Sequence, residues 1–405
     1  MLAIRAPRMF DGETFSAGPV TVLVDAGRIS GIETGFPELG DGWTEARFDD
    51  ATVLPGLIDT HSHLVADSGV GALARVPGYS DQELDDVISD GLRRQLAAGV
   101  TTVRDLGDRR FSMANRRRPR TAGSPPTPME PTILASGPPL TSPGGHCFFL
   151  GGEVADRAAM TADIAVRAEH HVDIVKIMTS GGANTPGTDM TRTQFTDDDV
   201  TFMVEEAHAA GLAVTAHAHG LPAVEQALAA GVDAMEHCSC VTQDGVRITD
   251  EVLEALVRRQ IPVGGALGAP PPEAFNLAPP AVKEMMQRAG VTPEMFRTMR
   301  LQAVGQMHGA GVRFVAGIDS GIGSWLAHGS VWKAAAFYVE AGATTVEAVA
   351  AATSWSADAC GIGDHCGRLR PGYDADIVVV GGDLQSDITR LADVQAVVLH
   401  GERVK

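Results

Sequence analysis

The sequence predicts a parallel (β/α)8 barrel, an α/β fold of the TIM-barrel type, with a small β-sandwich formed from both chain ends. Three observations lead there. Short apolar runs recur along the middle of the chain, most are followed by a segment with helical spacing, and the two ends alternate apolar and polar residues instead. Parallel strands need crossover connections, which the intervening helices supply.

The runs are Val53–Asp59, Val100–Asp105, Pro131–Ser136, Val172–Met178, Ala213–Ala218, Val232–Glu236, Ile261–Gly265 and Arg313–Asp319. Helical spacing marks Asp81–Ala98, Glu153–His170, Asp197–Ala210, Pro222–Ala230 and Asp250–Gln260. Glycines just past the last apolar turn (Ala98-Gly99, Ala210-Gly211, Ala230-Gly231, Ala310-Gly311) are expected helix ends. At the N-terminal end, Val20–Val24 alternates between turns at Asp11-Gly12 and Ala26-Gly27; Asp376–Val380 and Val394–His400 do the same at the C-terminal end. Neither end has enough strands to stand alone, so the two are expected to combine. The expected division is residues 1–56 with 367–405 as a composite sandwich, and 57–366 as the barrel. Arg109–Pro131, with Arg116-Arg117-Arg118-Pro119-Arg120 followed by Pro125-Pro126, is read as a surface loop; the other reading is a basic patch for an acidic partner.

The chain has 51 acidic and 32 basic side chains and a net charge of -19, so it lacks the basic stripe that nucleic acid or an anionic membrane requires. The richest apolar stretch, Val331–Thr353, is interrupted by Lys333, Glu340 and Glu347, so no membrane span is expected. The N-terminus carries charges where a signal peptide has its apolar region. Five cysteines, an odd number in a long chain, suit a reducing cytoplasm, and Cys238-Ser239-Cys240 is too tight for the usual zinc spacing.

In such a barrel, functional groups sit at the C-terminal ends of the strands. The first run ends Asp59-Thr60-His61-Ser62-His63, and residues two apart in an extended chain point the same way, so His61 and His63 present two imidazoles to one point. Converging neutral imidazoles suit a divalent transition metal. Later runs add His217 and His219, His237, and Asp319, while Lys176 is a cation among apolar neighbours. A buried lysine is costly unless paired, neutral or chemically modified. So many histidines, with a lysine and an aspartate, at the same end of five strands are hard to explain as core filling.

The pattern resembles the amidohydrolase superfamily over nearly the whole chain. The carrying motifs are Leu54–His63, Val175–Met178, Ala216-His217-Ala218-His219-Gly220, Glu236-His237, Asp319 and Gly367–Asp376. Ser180-Gly181-Gly182 and Gln194-Phe195-Thr196 make it look more narrowly like the imidazolonepropionase-like and Xaa-Pro dipeptidase (prolidase) branch. The resemblance implies two divalent metal ions. His61, His63 and Asp319 would hold one, His217 and His237 the other, and a carboxylated Lys176 would bridge them. Zinc is the expected ion, although Mn, Co or Fe suit the same ligands. Deaminase-type members usually lack that lysine, so Lys176 points to two metals and amide hydrolysis. The implied mechanism is attack by a metal-bridging hydroxide, with Asp319 carrying the proton to the leaving nitrogen.

His146, in a Gly-Gly-His loop like that of prolidase-like sequences, is expected near the substrate carbonyl or carboxylate, the plain alternative being an ordinary loop residue. His219 is expected to contact substrate; a tyrosine often stands there in dipeptidase relatives, so dipeptide specificity is in doubt. His328 could line the mouth, and His308 is a weaker candidate. His170, His171, His208, His365 and His400 are expected to be solvated. The apolar loop Cys147–Leu150 either packs on the rim or lines a pocket, and Gly264–Pro280 could form another wall.

The expected activity is hydrolysis of a peptide or peptide-like amide near a C-terminal residue, with a modified peptide in a biosynthetic pathway as one variant. The alternative is a hydrolase or deaminase of a cyclic nitrogenous metabolite; lactone or carbamate hydrolysis also stays open. A barrel kept as a mere binding module is disfavoured because every expected ligand is present. Expected partners are a small-molecule or peptide substrate and, by resemblance, further copies of the chain.

Overall fold

The computed structural model describes residues 1–117, 129–278 and 280–405. Its centre is two runs of parallel strands. β1 (Leu57–Ser62), β2 (Val100–Asp105) and β3 (Thr132–Ala135) form one; β4 (Ile174–Met178), β5 (Ala213–Gly220), β6 (Ala234–Thr242) and β7 (Val263–Gly264) form the other. Every residue of β1, β2 and β4 is buried, as expected for parallel strands covered by helices. Those helices are capped as their sequences dictate. Ser80 and Glu83 form a capping box at Asp81–Ala97, and Asp156, Thr196, Thr249 and Thr292 each accept a backbone N–H at the start of theirs. Gly99, Gly211, Gly231 and Gly311 have φ of +84°, +76°, +85° and +95°, the left-handed geometry that ends a helix.

Backbone bonds bridge the two runs. Leu140 N–H donates to Lys176 O and Met178 N–H to Leu140 O, both at 2.8 Å, and Asp173 N–H donates to Ala135 O at 2.9 Å. On the other side, Val315 N–H donates to Val263 O at 3.0 Å, Thr60 N–H to Ala316 O at 2.9 Å and Ser320 N–H to His61 O at 3.0 Å. The architecture is mixed α/β and TIM-barrel-like.

Two strand expectations are corrected. Val53–Asp59 is not one strand: Ala51–Pro55 pairs antiparallel with Ile377–Gly381, and the chain enters β1 only after Gly56. Arg313–Asp319 is not a regular strand and keeps only isolated bridges, Phe314 to Val263 and Ser320 to Ser62. Asp319 there has φ +63°, which breaks the extended run just where the carboxylate is delivered.

Strands from both ends share a sheet, ordered Glu402–Arg403, Val394–Leu399, Ile377–Gly381, Ala51–Pro55, Arg8–Met9. A second sheet holds Arg28–Thr34, Val20–Asp25, Leu2–Ala6 and Thr44–Arg47. One apolar cluster, including Ile4, Val22 and Ile29 with Val53, Ile377 and Val398, draws on both. No helix among the described residues is long and apolar enough to cross a membrane. Residues 118–128 of the basic Pro-rich segment lie outside the described residues. The described Arg116 pairs with Glu130 and Asp85, and Arg117 with Asp173, so neither is a free basic surface.

The crossing at Gly56 is tight, because a Cβ there would fall 1.9 Å from Thr101 Oγ1, a fully buried side chain. Gly56→Ala should lower stability by about 1–3 kcal/mol through overpacking. In a Thr101→Ala background the same change should cost clearly less. Denaturant melts of the four proteins measure this coupling, and equal costs in both backgrounds would sink it.

Candidate metal centre

The ends of β1, β4, β5 and β6 and the segment before Ser320 bring the six expected ligands into one buried cluster. His61, His63, Lys176, His217 and His237 are all buried. Asp319 Oδ1 lies 3.0 Å from His63 Nε2 and 3.4 Å from His61 Nε2. The His61 and His237 rings are 5.1 Å apart, and those of His217 and His237 4.7 Å. Ligand atoms of His61, His237 and Asp319 lie within 4.8 Å of one another, and so do those of His217, His219 and His237.

Each ligand imidazole is turned by an acceptor behind it. His61 Nδ1 meets Glu236 Oε2 at 2.8 Å, His63 Nδ1 the carbonyl of Gly107 at 3.1 Å, and His237 Nδ1 the carbonyl of Gly265 at 3.2 Å. His217 reverses the order, with Nε2 3.2 Å from the carbonyl of Gly181. A carbonyl or carboxylate only accepts, so the facing nitrogen carries the proton. The lone pairs left over are on Nε2 of His61, His63 and His237, and on Nδ1 of His217. This outer acceptor on each imidazole is the arrangement that fixes metal-binding histidines.

Electrostatics agree with that assignment. Burial, reinforced by neighbouring imidazoles, holds His217 and His237 well below the usual histidine pKa, so both are neutral donors near pH 7. Burial opposes ionisation of Asp319, but His61, His63 and Lys176 outweigh it and keep the carboxylate charged. Burial pulls Lys176 down to about 8, against the partial support of Glu236 and Asp319. Lys176 Nζ is buried and has no hydrogen-bond partner, while Asp319 Oδ1 faces His63 Nε2 at 3.0 Å. An orphaned amine, an ionised carboxylate and four imidazoles form a donor set suited to divalent ions.

His146 is in this cluster, its ring 4.7 Å from that of His217, and burial lowers its pKa to about 4. Its Nδ1 lies 2.9 Å from Thr185 Oγ1, and a Cβ on Gly182 would come within 2.4 Å of the ring, so the glycine makes room for it. His219 faces the same site, stacked on His237 at 4.4 Å, with burial pulling its pKa to about 3. In the loop after His146, Cys147 and Leu150 are buried but Phe148 is 39% exposed, so the loop both packs and presents an aromatic face.

His328 does not line the mouth. It is buried, its Nε2 lies 2.9 Å from the carbonyl of Ala66, and Gly91 and Gly321 pack against the ring. His308 bonds Tyr338 at 2.9 Å. Among the histidines expected to be solvated, His170 is half-buried and stacks on Phe111 at 4.0 Å, while His365 bonds Asp374 at 2.7 Å with its side chain still 46% exposed. Sequence reasoning missed Glu236 as a positioning residue and missed Arg104, which donates to its second oxygen at 3.0 Å. It also missed Asp59, which accepts from Ser320 Oγ at 2.6 Å and Gln95 Nε2 at 2.7 Å and so steadies the residue next to Asp319. The signal present was charge inside an otherwise apolar strand.

The model of the amidohydrolase family matches residues 52–404. The chain belongs to the amidohydrolase family. A crystal structure of a Xaa-Pro dipeptidase with bound methionine is similar to this amidohydrolase with a TM-score of 0.82 and 25% identity, covering 100% of this chain and 99% of that one. Ochratoxinase of Aspergillus niger is 24% identical over 435 residues, 96% of this chain and 82% of its own length. The crystal structure of A. niger ochratoxinase has a TM-score of 0.79 at 20% identity, covering 100% of this chain and 96% of that one.

Two predictions follow for this amidohydrolase. Glu236→Gln removes the charge that orients His61 and leaves Arg104 buried without its counter-ion. Metal affinity, read by competition with a chelator, should fall about 10–100-fold, and stability should fall by about 3–5 kcal/mol. His328 has a folded pKa of about 4, lowered by burial from 6.5. Between those values the unfolded chain binds a proton that the folded chain does not, so stability falls as pH drops from 6.5 towards 4. The effect is on the order of 3 kcal/mol. His328→Gln should show a shallower pH dependence of the denaturation midpoint over that window, and an unchanged slope would refute the assignment.

Proposed function

We propose that this amidohydrolase is a binuclear metal-dependent enzyme that hydrolyses a peptide or peptide-like amide bond near a C-terminal residue. The observation that carries the reading is Lys176: its Nζ is buried and unpartnered, and both Glu236 and Asp319 act on its charge. Carboxylation would turn that cation into an anion with two oxygens, one for each metal. The relatives named Xaa-Pro dipeptidase and ochratoxinase support an amide substrate over a deaminase substrate.

His61, His63 and Asp319 would hold one ion and His217 and His237 the other, with Lys176 between them. Divalent metals there would supply Lewis-acid polarisation and a water of lowered pKa. Zinc fits the imidazole-rich ligand set. The remaining chemistry belongs to the chain. Asp319, held ionised, takes a proton from the attacking water and passes it to the leaving nitrogen. His146 stays neutral near pH 7 and offers a ring N–H to the scissile carbonyl oxygen. Phe148 and Phe149 present apolar surface to the part of the substrate beyond that carbonyl.

In the same reading, residues 57–366 close into a catalytic barrel through Arg313–Asp319, and residues 1–56 with 367–405 form one sandwich. The bridging backbone bonds and the shared apolar cluster support this. All five cysteines are unpaired, which suits a reducing cytoplasm.

The test combines metal analysis with a substrate panel. The purified enzyme should carry roughly two divalent ions per chain, lose activity on chelation and recover it on metal addition. Among N-acyl amino acids, Xaa-Pro and Xaa-aromatic dipeptides, cyclic ureides and deaminase substrates, a new amine should appear with the peptide-like compounds. Lys176→Ala should lose most bound metal and at least about a hundredfold in kcat/KM. Full metal content and turnover in that variant, or ammonia release without a new amine, would overturn the reading.

A further inference from the structure

Six imidazoles gather at the centre, and what stands behind each of them divides the set in two. His61, His63, His217 and His237 face a carboxylate or a carbonyl, groups that only accept, so their other nitrogen is left as a lone pair. His146 and His219 face hydroxyls instead. His146 Nδ1 lies 2.9 Å from Thr185 Oγ1, and His219 Nδ1 lies 3.0 Å from Ser239 Oγ. A hydroxyl can accept or donate, so its remaining contacts decide the tautomer of the ring.

Both hydroxyls already serve as acceptors. Cys147 N–H donates to Thr185 Oγ1 at 2.9 Å, and Arg300 Nη1 donates to Ser239 Oγ at 3.2 Å. Neither of those donors can accept, so each hydroxyl proton has to go elsewhere. Thr185 is buried, and a buried hydroxyl proton without an acceptor is costly. Two groups stand within reach of it, His146 Nδ1 and the sulfur of Cys147. A thiol sulfur is a weak acceptor beside an imidazole lone pair, so the proton goes to Nδ1. The ring's own proton is then on Nε2, which meets Cys147 Sγ at 3.6 Å. That contact is weak as well, and a substrate carbonyl oxygen can replace it at little cost.

The surroundings hold the ring for this use. His146 N–H donates to Gln194 Oε1 at 2.5 Å, and Gln194 Nε2 donates to the carbonyl of Met178 at 2.7 Å. Met178 ends β4, the strand that carries Lys176. A Cβ on Gly182 would fall 2.4 Å from His146 Nε2, so this edge of the ring stays clear because that residue is glycine. Without the hydroxyl, Nε2 could equally present a lone pair. A buried neutral imidazole 4.7 Å from His217 would then compete as a further metal ligand.

We propose that Thr185 is a positioning residue: its hydroxyl fixes His146 as the Nε2–H tautomer, so that the ring donates to the scissile carbonyl instead of binding metal. The assignment rests on the amide-hydrolase reading and deepens it, by naming what separates the donor histidine from the ligand histidines.

The test uses the zinc-loaded full-length enzyme with isotopically labelled histidine ring nitrogens. Nitrogen–proton correlation spectra distinguish a ring nitrogen that carries a proton from one that does not, and His146→Gln identifies the His146 signals by their loss. The wild type should show His146 protonated on Nε2 and unprotonated on Nδ1. Thr185→Val removes the hydroxyl at similar size, and the His146 signals should move towards the Nδ1–H tautomer. On the N-acyl amino acid cleaved best in the panel, kcat of this variant should fall about 10–100-fold. KM should change little, the mark of an interaction made in the transition state. Thr185→Ser returns the hydroxyl and should restore both the tautomer and most of kcat. Ser239→Ala should move the His219 signals and leave those of His146 in place, which separates a tautomer effect from general loosening of the site. The wild-type spectrum decides even if Thr185→Val does not fold: His146 protonated on Nδ1, or bound to zinc through Nε2, would overturn the assignment. So would an unchanged His146 tautomer, or a full kcat, in folded Thr185→Val. The expected tautomer with no amide cleaved anywhere in the panel would overturn the amide-hydrolase reading and leave the hold of Thr185 on the ring standing.

Discussion

Glu236 is completely buried, and its two carboxylate oxygens hold the site together. Oε2 meets His61 Nδ1 at 2.8 Å, while Oε1 accepts from Arg104 Nη2 and from Thr215 Oγ1, each at 3.0 Å. Arg104 Nε in turn donates to the carbonyl of Thr60 at 2.8 Å, so β1, β2, β5 and β6 meet at one ion pair. Burial alone would push the Glu236 pKa up, but His61 and Arg104 override it and hold the carboxyl at about 2. A buried pair adds little net stability over an apolar filling of the same volume. Its value here is directional: it sets which nitrogen of His61 faces Asp319.

The same logic extends outward. Gly107, Gly181 and Gly265 use carbonyls, not side chains, to turn His63, His217 and His237. Gly265 lies at φ +60°, and a Cβ there would fall 2.5 Å from His61 Nδ1, so a side chain would displace the ring it helps to pack. Strained backbone gathers at the same place. His237, Cys238, Cys240 and Asp319 all have positive φ, at +68°, +43°, +48° and +63°. Non-glycine residues in that region cost on the order of 1–3 kcal/mol each. Such conformations persist only where the surroundings over-determine them, and here His237, Cys238 and Cys240 are themselves buried. The barrel-like frame of parallel strands thus maintains a side-chain geometry that an isolated loop would relax.

This explains what could be read from sequence. His61, His63, His217 and His237 are legible because strand periodicity and strand ends are local properties, and so is Lys176 as a charge in an apolar run. Arg104 and Glu236 are 132 residues apart, and no local pattern announces that they pair. The carbonyls behind the imidazoles are invisible because every residue has one. Val53–Asp59 reads as a single strand because Gly56 interrupts no apolar pattern; the bend there comes from how closely Thr101 packs against it. Arg313–Asp319 reads as a strand for the same reason, although Val315 N–H goes to β7, Ala316 N–H goes to the carbonyl of Ala351, and β1 is met only by the Ala316 carbonyl accepting from Thr60. His328 misleads by position: glycines at 91 and 321 create a buried slot for it, and a slot made of absent side chains has no sequence signature.

Charge placement accounts for why this cluster is poised for metal and not merely polar. The imidazoles of His146, His217, His219 and His237 are neutral near pH 7 because burial and each other's proximity disfavour protonation. Protons therefore do not compete for the lone pairs. Asp319 is the negative group facing those lone pairs, since the charge of Glu236 is engaged by Arg104 and His61. In the binuclear reading proposed above, carboxylation of Lys176 would add a second anion beside Asp319. The excess of acidic residues elsewhere on the chain is too distant to substitute, because a surface charge is screened within about 8–10 Å at ordinary ionic strength.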